Sequence, residues 1–149
     1  MNRNLIVIVA GAGLVGAFLV ASHFYTENQA SEATARASAA DSPLEREYSV
    51  SAGPVDAKVV LVEFFDPACE TCRVFSGHVK TLLAAHPDKV RLVLRYAPFH
   101  KGADIMVLIL EAARKQGRFW ETLDVMYATQ PEWAGHHNPQ PDLIWQFLP

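Results

Sequence analysis

The stretch Val59-Val60-Leu61-Val62-Glu63-Phe64-Phe65-Asp66-Pro67-Ala68-Cys69-Glu70-Thr71-Cys72-Arg73 decides the reading of this chain. Its first seven residues are β-branched, aromatic and almost continuously apolar, the pattern of a central strand covered on both faces, with Glu63 as the exception. After Asp66-Pro67-Ala68 the period changes. Phe75, Val79, Leu82 and Leu83 fall on one stripe while Arg73, Ser76 and Lys80 fall elsewhere, which predicts a helix ending near His86-Pro87. The two cysteines of the chain stand at the head of that helix. Two thiols separated by two residues on a first helical turn can close a small disulfide loop, and the first meets the positive end of the helix dipole. The pattern suits thiol-disulfide exchange.

Outward from this stretch, a second strand is predicted from Val90 to Tyr96, stopping at Pro98. Strand, helix and strand in that order predict a parallel βαβ unit with the dithiol at the carboxyl end of the first strand, where open α/β sheets keep their reactive groups. Upstream, a short strand is expected at Tyr48 to Val50, followed by a turn at Ala52-Gly53-Pro54-Val55-Asp56. Downstream the chain is mostly helical: Ile105 to Gln116 with Gly117 as terminator, then Phe119 to Thr129. Pro131, Gly135-His136-His137-Asn138, Pro139 and Pro141 mark a loop, with Pro141 opening a short last helix.

The amino terminus carries Arg3 and then no charge from Leu5 to Ala21, a run of roughly 25 Å at about 1.5 Å per residue of helix. Residues 1–22 therefore read as a membrane anchor or a signal peptide. Length favours the anchor, while Val20 and Ser22 offer a weak cleavage site. With Arg3 before the run and Glu27 and Glu32 the first charges after it, the body is expected to face away from the cytoplasm. Residues 23–47 turn to Ala, Ser, Glu and Arg without apolar periodicity and read as a linker or stalk; the alanines could support a frayed helix, but with no face to bury, disorder is the expectation. Residues 48–149 are long enough for one core and too few for two. The net charge of −3, from 13 basic and 16 acidic side chains, includes no Lys/Arg block interleaved with aromatics, so nucleic acid is not expected as a partner.

Gly53 to Val59, the run EFFDPACETCR from Glu63 to Arg73, and VRLVLRYAPFH from Val90 to His100 together resemble the DsbA-like branch of the thioredoxin superfamily. The resemblance covers about residues 53 to 148. It implies an α/β thioredoxin-like fold with a helical insertion, here from about residue 103. It also implies thiol-disulfide oxidoreductase activity on cysteine-containing exported proteins, with a membrane or soluble redox partner. The location it implies is the bacterial inner membrane facing the periplasm, or the periplasm if the first segment is cleaved. Cys69 matches the exposed nucleophile, Cys72 the buried resolving thiol, and Glu63 the carboxylate the superfamily places beneath the dithiol. Such a carboxylate, with a raised pKa, can exchange a proton with Cys72; the other reading of Glu63 is an edge-strand side chain facing water. The family continues past its helical insertion into a strand pair, a last helix and a cis-proline loop facing the CxxC. Those parts are expected to be missing here, since the sequence stops at Pro149 and none of Pro98, Pro131, Pro139 or Pro141 follows a strand in the required place.

The dipeptide between the cysteines tunes the redox poise, and here it is Glu70-Thr71. Glu70 opposes a neighbouring thiolate and Arg73 offsets part of that repulsion, so a weaker oxidant is expected than in relatives with histidine or glycine-proline there. His100 is a candidate for a place near the dithiol. No metal site is expected from the spacing of His78, His86, His136 and His137, and no cofactor beyond a redox-active Cys69-Cys72 disulfide. A non-catalytic tethered module, or one that holds copper(I) through its two thiols, is the competing reading. The aromatic groups Phe64-Phe65, Phe119-Trp120 and Trp145-Phe147 are candidates for a substrate groove or for core.

Overall fold

The computed structural model describes residues 2–37, 39, 42–135 and 137–148. Expectations that fall on Met1, Ser38, Ala40, Asp41, His136 and Pro149 lie outside the described residues. The chain forms two compact units, Met1–Leu44 and Glu45–Pro149.

The first unit is one helix, α1 (Arg3–Ala37). It is long and apolar enough to cross a membrane, and side chains such as Leu14 and Phe18 stand exposed along it. The stretch after residue 22, expected to be a linker, continues this helix to Ala37. Alanine is the best helix former, and extending a helix that is already nucleated costs far less than starting one. Local pairs support the extension: the Thr34 hydroxyl donates to Ala30 O at 2.8 Å, and Arg36 pairs with Glu32.

The second unit holds β1 (Val50–Ala52), β2 (Val59–Phe65), α2 (Glu70–Ala85), β3 (Val90–Tyr96), α3 (Ala103–Lys115), α4 (Phe119–Trp133) and a 3-10 helix (Pro141–Gln146). The sheet order is β1-β3-β2, with β2 parallel to β3 and β1 antiparallel to it. The βαβ reading is therefore correct, with Glu63 opposite Leu94 and Phe65 opposite Tyr96. Leu61, Glu63 and Phe65 share one face of β2 by the two-residue period. That face packs toward α2 and α4, and Phe65 joins Leu92, Leu94, Met106, Leu123 and Trp133 in the core. Tyr96 Oη donates to Glu111 Oε1 at 2.8 Å, tying the end of β3 to α3.

Several expectations are corrected here. Among the described residues β2 is an edge strand, and β3 is the central one, because β1 pairs on the far side of β3. Phe64, on the opposite face of β2, is 53% exposed and lies under the Arg95 guanidinium, 5.5 Å from its ring centroid. The first strand begins at Val50, not Tyr48, where its register with Leu94 allows pairing. On α2 the expected stripe is narrower: Val79 and Leu83 pack on the core together with Cys72, while Phe75 and Leu82 are exposed. Helix α4 runs through Pro131 to Trp133, because a proline in the last turn removes only one hydrogen bond from a segment whose Gln130 and Trp133 are buried. Gly117 ends α3 as expected, with φ of 74°.

Candidate functional site

The site grows from the turn between β2 and α2. Asp66 Oδ1 accepts the Ala68 N–H at 2.8 Å, an Asx turn, and the Asp66 carbonyl accepts the Cys69 N–H at 3.1 Å. Cys69 then caps α2 in an extended conformation, φ −83° and ψ 121°, and its carbonyl accepts the Arg73 N–H at 3.1 Å. This places Cys69 at the helix entrance and Cys72 on the first turn. Neither thiol is in a disulfide, and both are half-buried.

Asp66 reaches a second segment as well. Its Oδ2 accepts the Phe99 and His100 backbone N–H groups at 2.7 and 2.8 Å, and His100 Nδ1 lies 2.8 Å from the same oxygen. The loops after β2 and β3 are thereby joined beside the dithiol. A third segment enters from α4. Gln130 donates from Nε2 to Pro67 O at 2.8 Å and to Cys69 O at 3.1 Å, and its Oε1 accepts from Arg73 Nε at 3.0 Å.

Burial pushes the Cys72 thiol up to about 11; the Asp66 backbone N–H works against this, while the Cys69 thiol and the Glu63 charge add to it. Burial also raises Glu63 above the ordinary glutamate value. Glu63 and Cys72 line one cavity of about 260 Å³, together with Thr71 and Phe75, and Glu63 also lines an apolar cavity of about 280 Å³ under α2 and α4. For Asp66 burial opposes ionisation, yet the hydrogen bonds from His100, Ala68 and Phe99 outweigh it and hold the carboxyl below its usual value. Tyr127 is raised, mainly by burial and then by the neighbouring Cys72 and Glu63 charges. The arrangement contains two thiols at a helix entrance, the second of which, Cys72, resists ionisation, and a carboxyl near it with enhanced proton affinity.

Residues 45–143 match the family model for thioredoxin. The chain belongs to the thioredoxin family. The chain is 36% identical over 88 residues to the Na(+)/H(+) antiporter NhaA of Herminiimonas arsenicoxydans, a match that covers 59% of this chain and 14% of the antiporter. It is 37% identical over 83 residues to Na(+)/H(+) antiporter NhaA 3 of Salinispora tropica, covering 54% of this chain and 13% of that protein. Among solved structures it is similar to Salmonella enterica Typhimurium BcfH, with a TM-score of 0.58, 21% identity, and coverage of 98% of this chain and 65% of that one. It is also similar to Wolbachia pipientis alpha-DsbA1, with a TM-score of 0.55, 14% identity, and coverage of 70% and 54%. The chain thus spans about half the length of alpha-DsbA1 and a small part of the antiporters. The fold of this thioredoxin-family chain is DsbA-like, with α3 and α4 in the place of the helical insertion.

The thioredoxin-family fold brings Glu63, Cys69 and Cys72 to one end of β2 and α2. Glu70 and Thr71 stand exposed on the first turn, and Arg73 turns to Gln130 on α4. His100 is held by Asp66, whose main-chain carbonyl accepts the Cys69 N–H. Glu63, for which an edge position facing water was the competing reading, lies on an edge strand yet is half-buried, on the face that Leu61 and Phe65 share. The aromatic pairs divide: Phe65 and Phe119 are core, whereas Phe64 and Trp145 are exposed. Among the described residues, no group of three or more His, Cys, Asp and Glu side chains is placed to hold a metal ion. Sequence reasoning missed Asp66, Gln130 and Tyr127. Asp-Pro ahead of the cysteines was a legible turn signal for Asp66. Nothing local singled out Gln130, whose partners lie some 60 residues away.

Proposed function

We propose that this chain is a membrane-tethered thiol-disulfide oxidoreductase acting on cysteine-containing exported proteins. The observation that carries the reading is the placement of Cys69 at the entrance of α2 with Cys72 one turn inward and Glu63 lining the same cavity. The Cys69 thiolate attacks one sulfur of a substrate disulfide, forming a mixed disulfide and releasing one substrate thiolate. Cys72 then passes its proton to the Glu63 carboxylate and attacks the Cys69 sulfur. That step closes the Cys69-Cys72 disulfide, releases the second substrate thiolate and leaves the substrate reduced by two electrons. Run in reverse, the same steps give a disulfide to a substrate dithiol, so the direction is set by the redox partner that recharges the pair. Glu70 and Thr71 between the cysteines, with Arg73 after them, set the poise, and the exposed position of Glu70 fits a dithiol of moderate oxidising strength. The apolar α1 supports a tether with the dithiol on the far side of the membrane from the cytoplasm.

The test is insulin reduction, and oxidation of a dithiol peptide, by the full chain in detergent micelles. Activity that is lost in Cys69→Ser, with a trapped substrate adduct in Cys72→Ser, is the expected result. A full chain that neither reduces nor oxidises either substrate would overturn the proposal in favour of a binding module.

A further inference from the structure

Gln130 is 1% exposed, in the middle of an apolar layer formed by α4 and its neighbours, where water cannot replace a lost partner. Its amide makes three hydrogen bonds, and all three converge on the dithiol loop: two donated to the carbonyls of Pro67 and Cys69, one accepted from Arg73 Nε. Pro67 is itself fully buried. The Cys69 carbonyl is also the acceptor of the first helical bond of α2, from the Arg73 N–H. One side chain from the helical layer therefore fixes the main chain on both sides of Ala68 and the direction of the Arg73 guanidinium.

We propose that Gln130 is a positioning residue of the dithiol, holding Cys69 in its capping conformation and Arg73 beside it. The inference rests on the exchange activity proposed above and adds to it a route by which α4 governs reactivity. A residue needed only for packing would be satisfied by a side chain of the same shape. The hydrogen bonds of Gln130 instead hold the segment from which the Cys69 thiol projects. With the amide gone, the Arg73 guanidinium is released to solvent, and a thiolate form of the dithiol loses the positive charge held near it. Because stabilising the reduced form makes a dithiol more oxidising, the variant should be a weaker oxidant.

The test uses the full chain in detergent micelles and three variants, Gln130→Met, Arg73→Gln and the pair combined. Two quantities are read: the equilibrium of the dithiol with glutathione, and the rate against pH of iodoacetamide alkylation of Cys69 in a Cys72→Ser background. Gln130→Met should move the glutathione equilibrium toward the disulfide by about two- to five-fold, the size expected of a half-exposed charge interaction. Its alkylation profile should move to higher pH. Arg73→Gln should act in the same direction, and the double variant should fall short of the product of the two effects. A Gln130→Met chain with a lower melting temperature but unchanged equilibrium and profile would overturn the proposal. If that variant does not fold, Arg73→Gln decides from the half-exposed end of the link, and no change there also overturns it. A wild-type chain that never equilibrates with glutathione would count against the exchange reading alone, since alkylation of Cys69 still reports on Gln130.

Discussion

Replacing Asp66 by asparagine removes the acceptor on which the two loops beside the dithiol converge. The carboxylate takes four contacts, from Ala68 N, Phe99 N, His100 N and His100 Nδ1, at 2.7 to 2.8 Å. An asparagine keeps one oxygen for Ala68 and then faces the N–H groups of Phe99 and His100 with its own amide hydrogens. Hydrogen bonds to a charged group contribute about 1.5–3 kcal/mol each. Phe99 and His100 lie at the surface, where water can take over part of the loss, so the full sum does not apply. The expected cost is about 2–4 kcal/mol, a fall in Tm on the order of 10–25 °C for a unit of this size.

The pH dependence gives the sharper test of Asp66. Its carboxyl is held below the ordinary aspartate value by the hydrogen bonds from His100, Ala68 and Phe99, so the unfolded chain binds that proton more readily than the folded one. The stability it contributes is fully present above the unfolded value and is lost as pH falls through the lower native value. Urea unfolding of wild type and Asp66→Asn, followed by near-ultraviolet circular dichroism, should show the widest gap near pH 7 and a closing gap below about pH 4. A gap under about 0.5 kcal/mol at neutral pH, or one that stays constant down to pH 3, would refute the reasoning.

Glu63→Gln should behave in the opposite sense: because burial raises the native pKa of Glu63, its ionisation costs stability at a pH above the unfolded value of 4.5. The variant should therefore gain stability over wild type as pH rises, while resolution of a mixed disulfide between pH 6 and 8 slows about ten-fold or more. Urea titrations and rapid acid quenching read the two effects, and unchanged resolution rates would remove Glu63 from the proton path. Gly53→Ala places a Cβ 2.5 Å from the Val90 carbonyl oxygen at a φ of 100°, so a loss of about 2–4 kcal/mol is expected in thermal unfolding. The glutathione equilibrium of that variant should stay at the wild-type value, since the turn lies outside the dithiol loop.

Much of this molecule could be read locally. Val59–Phe65 and Val90–Tyr96 are strands with the predicted bounds because β-branched, apolar runs broken by proline and turn residues leave few other options. Their parallel pairing follows from the helix between them, and the dithiol lies where that helix begins. The continuation of α1 past residue 22 is not legible as more than a frayed helix, because no face of it is buried; its alanines and the helix already formed ahead of it carry it to Ala37. At Pro131 a local helix breaker is outweighed by the burial of Gln130 and Trp133 around it, so the loop expected there begins only after Trp133.

By itself the sequence determined the order of the elements, the apolar first helix, and the chemistry of two thiols at a helix entrance, because each depends on side chains close together along the chain. Only the tertiary structure decided that β3 is the central strand, that Glu63 is half-buried beside Cys72, and that Asp66 and Gln130 grip the dithiol loop from two other segments. Those facts depend on which distant groups meet once the core closes. Hydrogen bonds of this kind leave no periodicity, since one buried oxygen or amide suffices, and its partners are whichever backbone N–H or carbonyl groups packing brings within hydrogen-bonding distance.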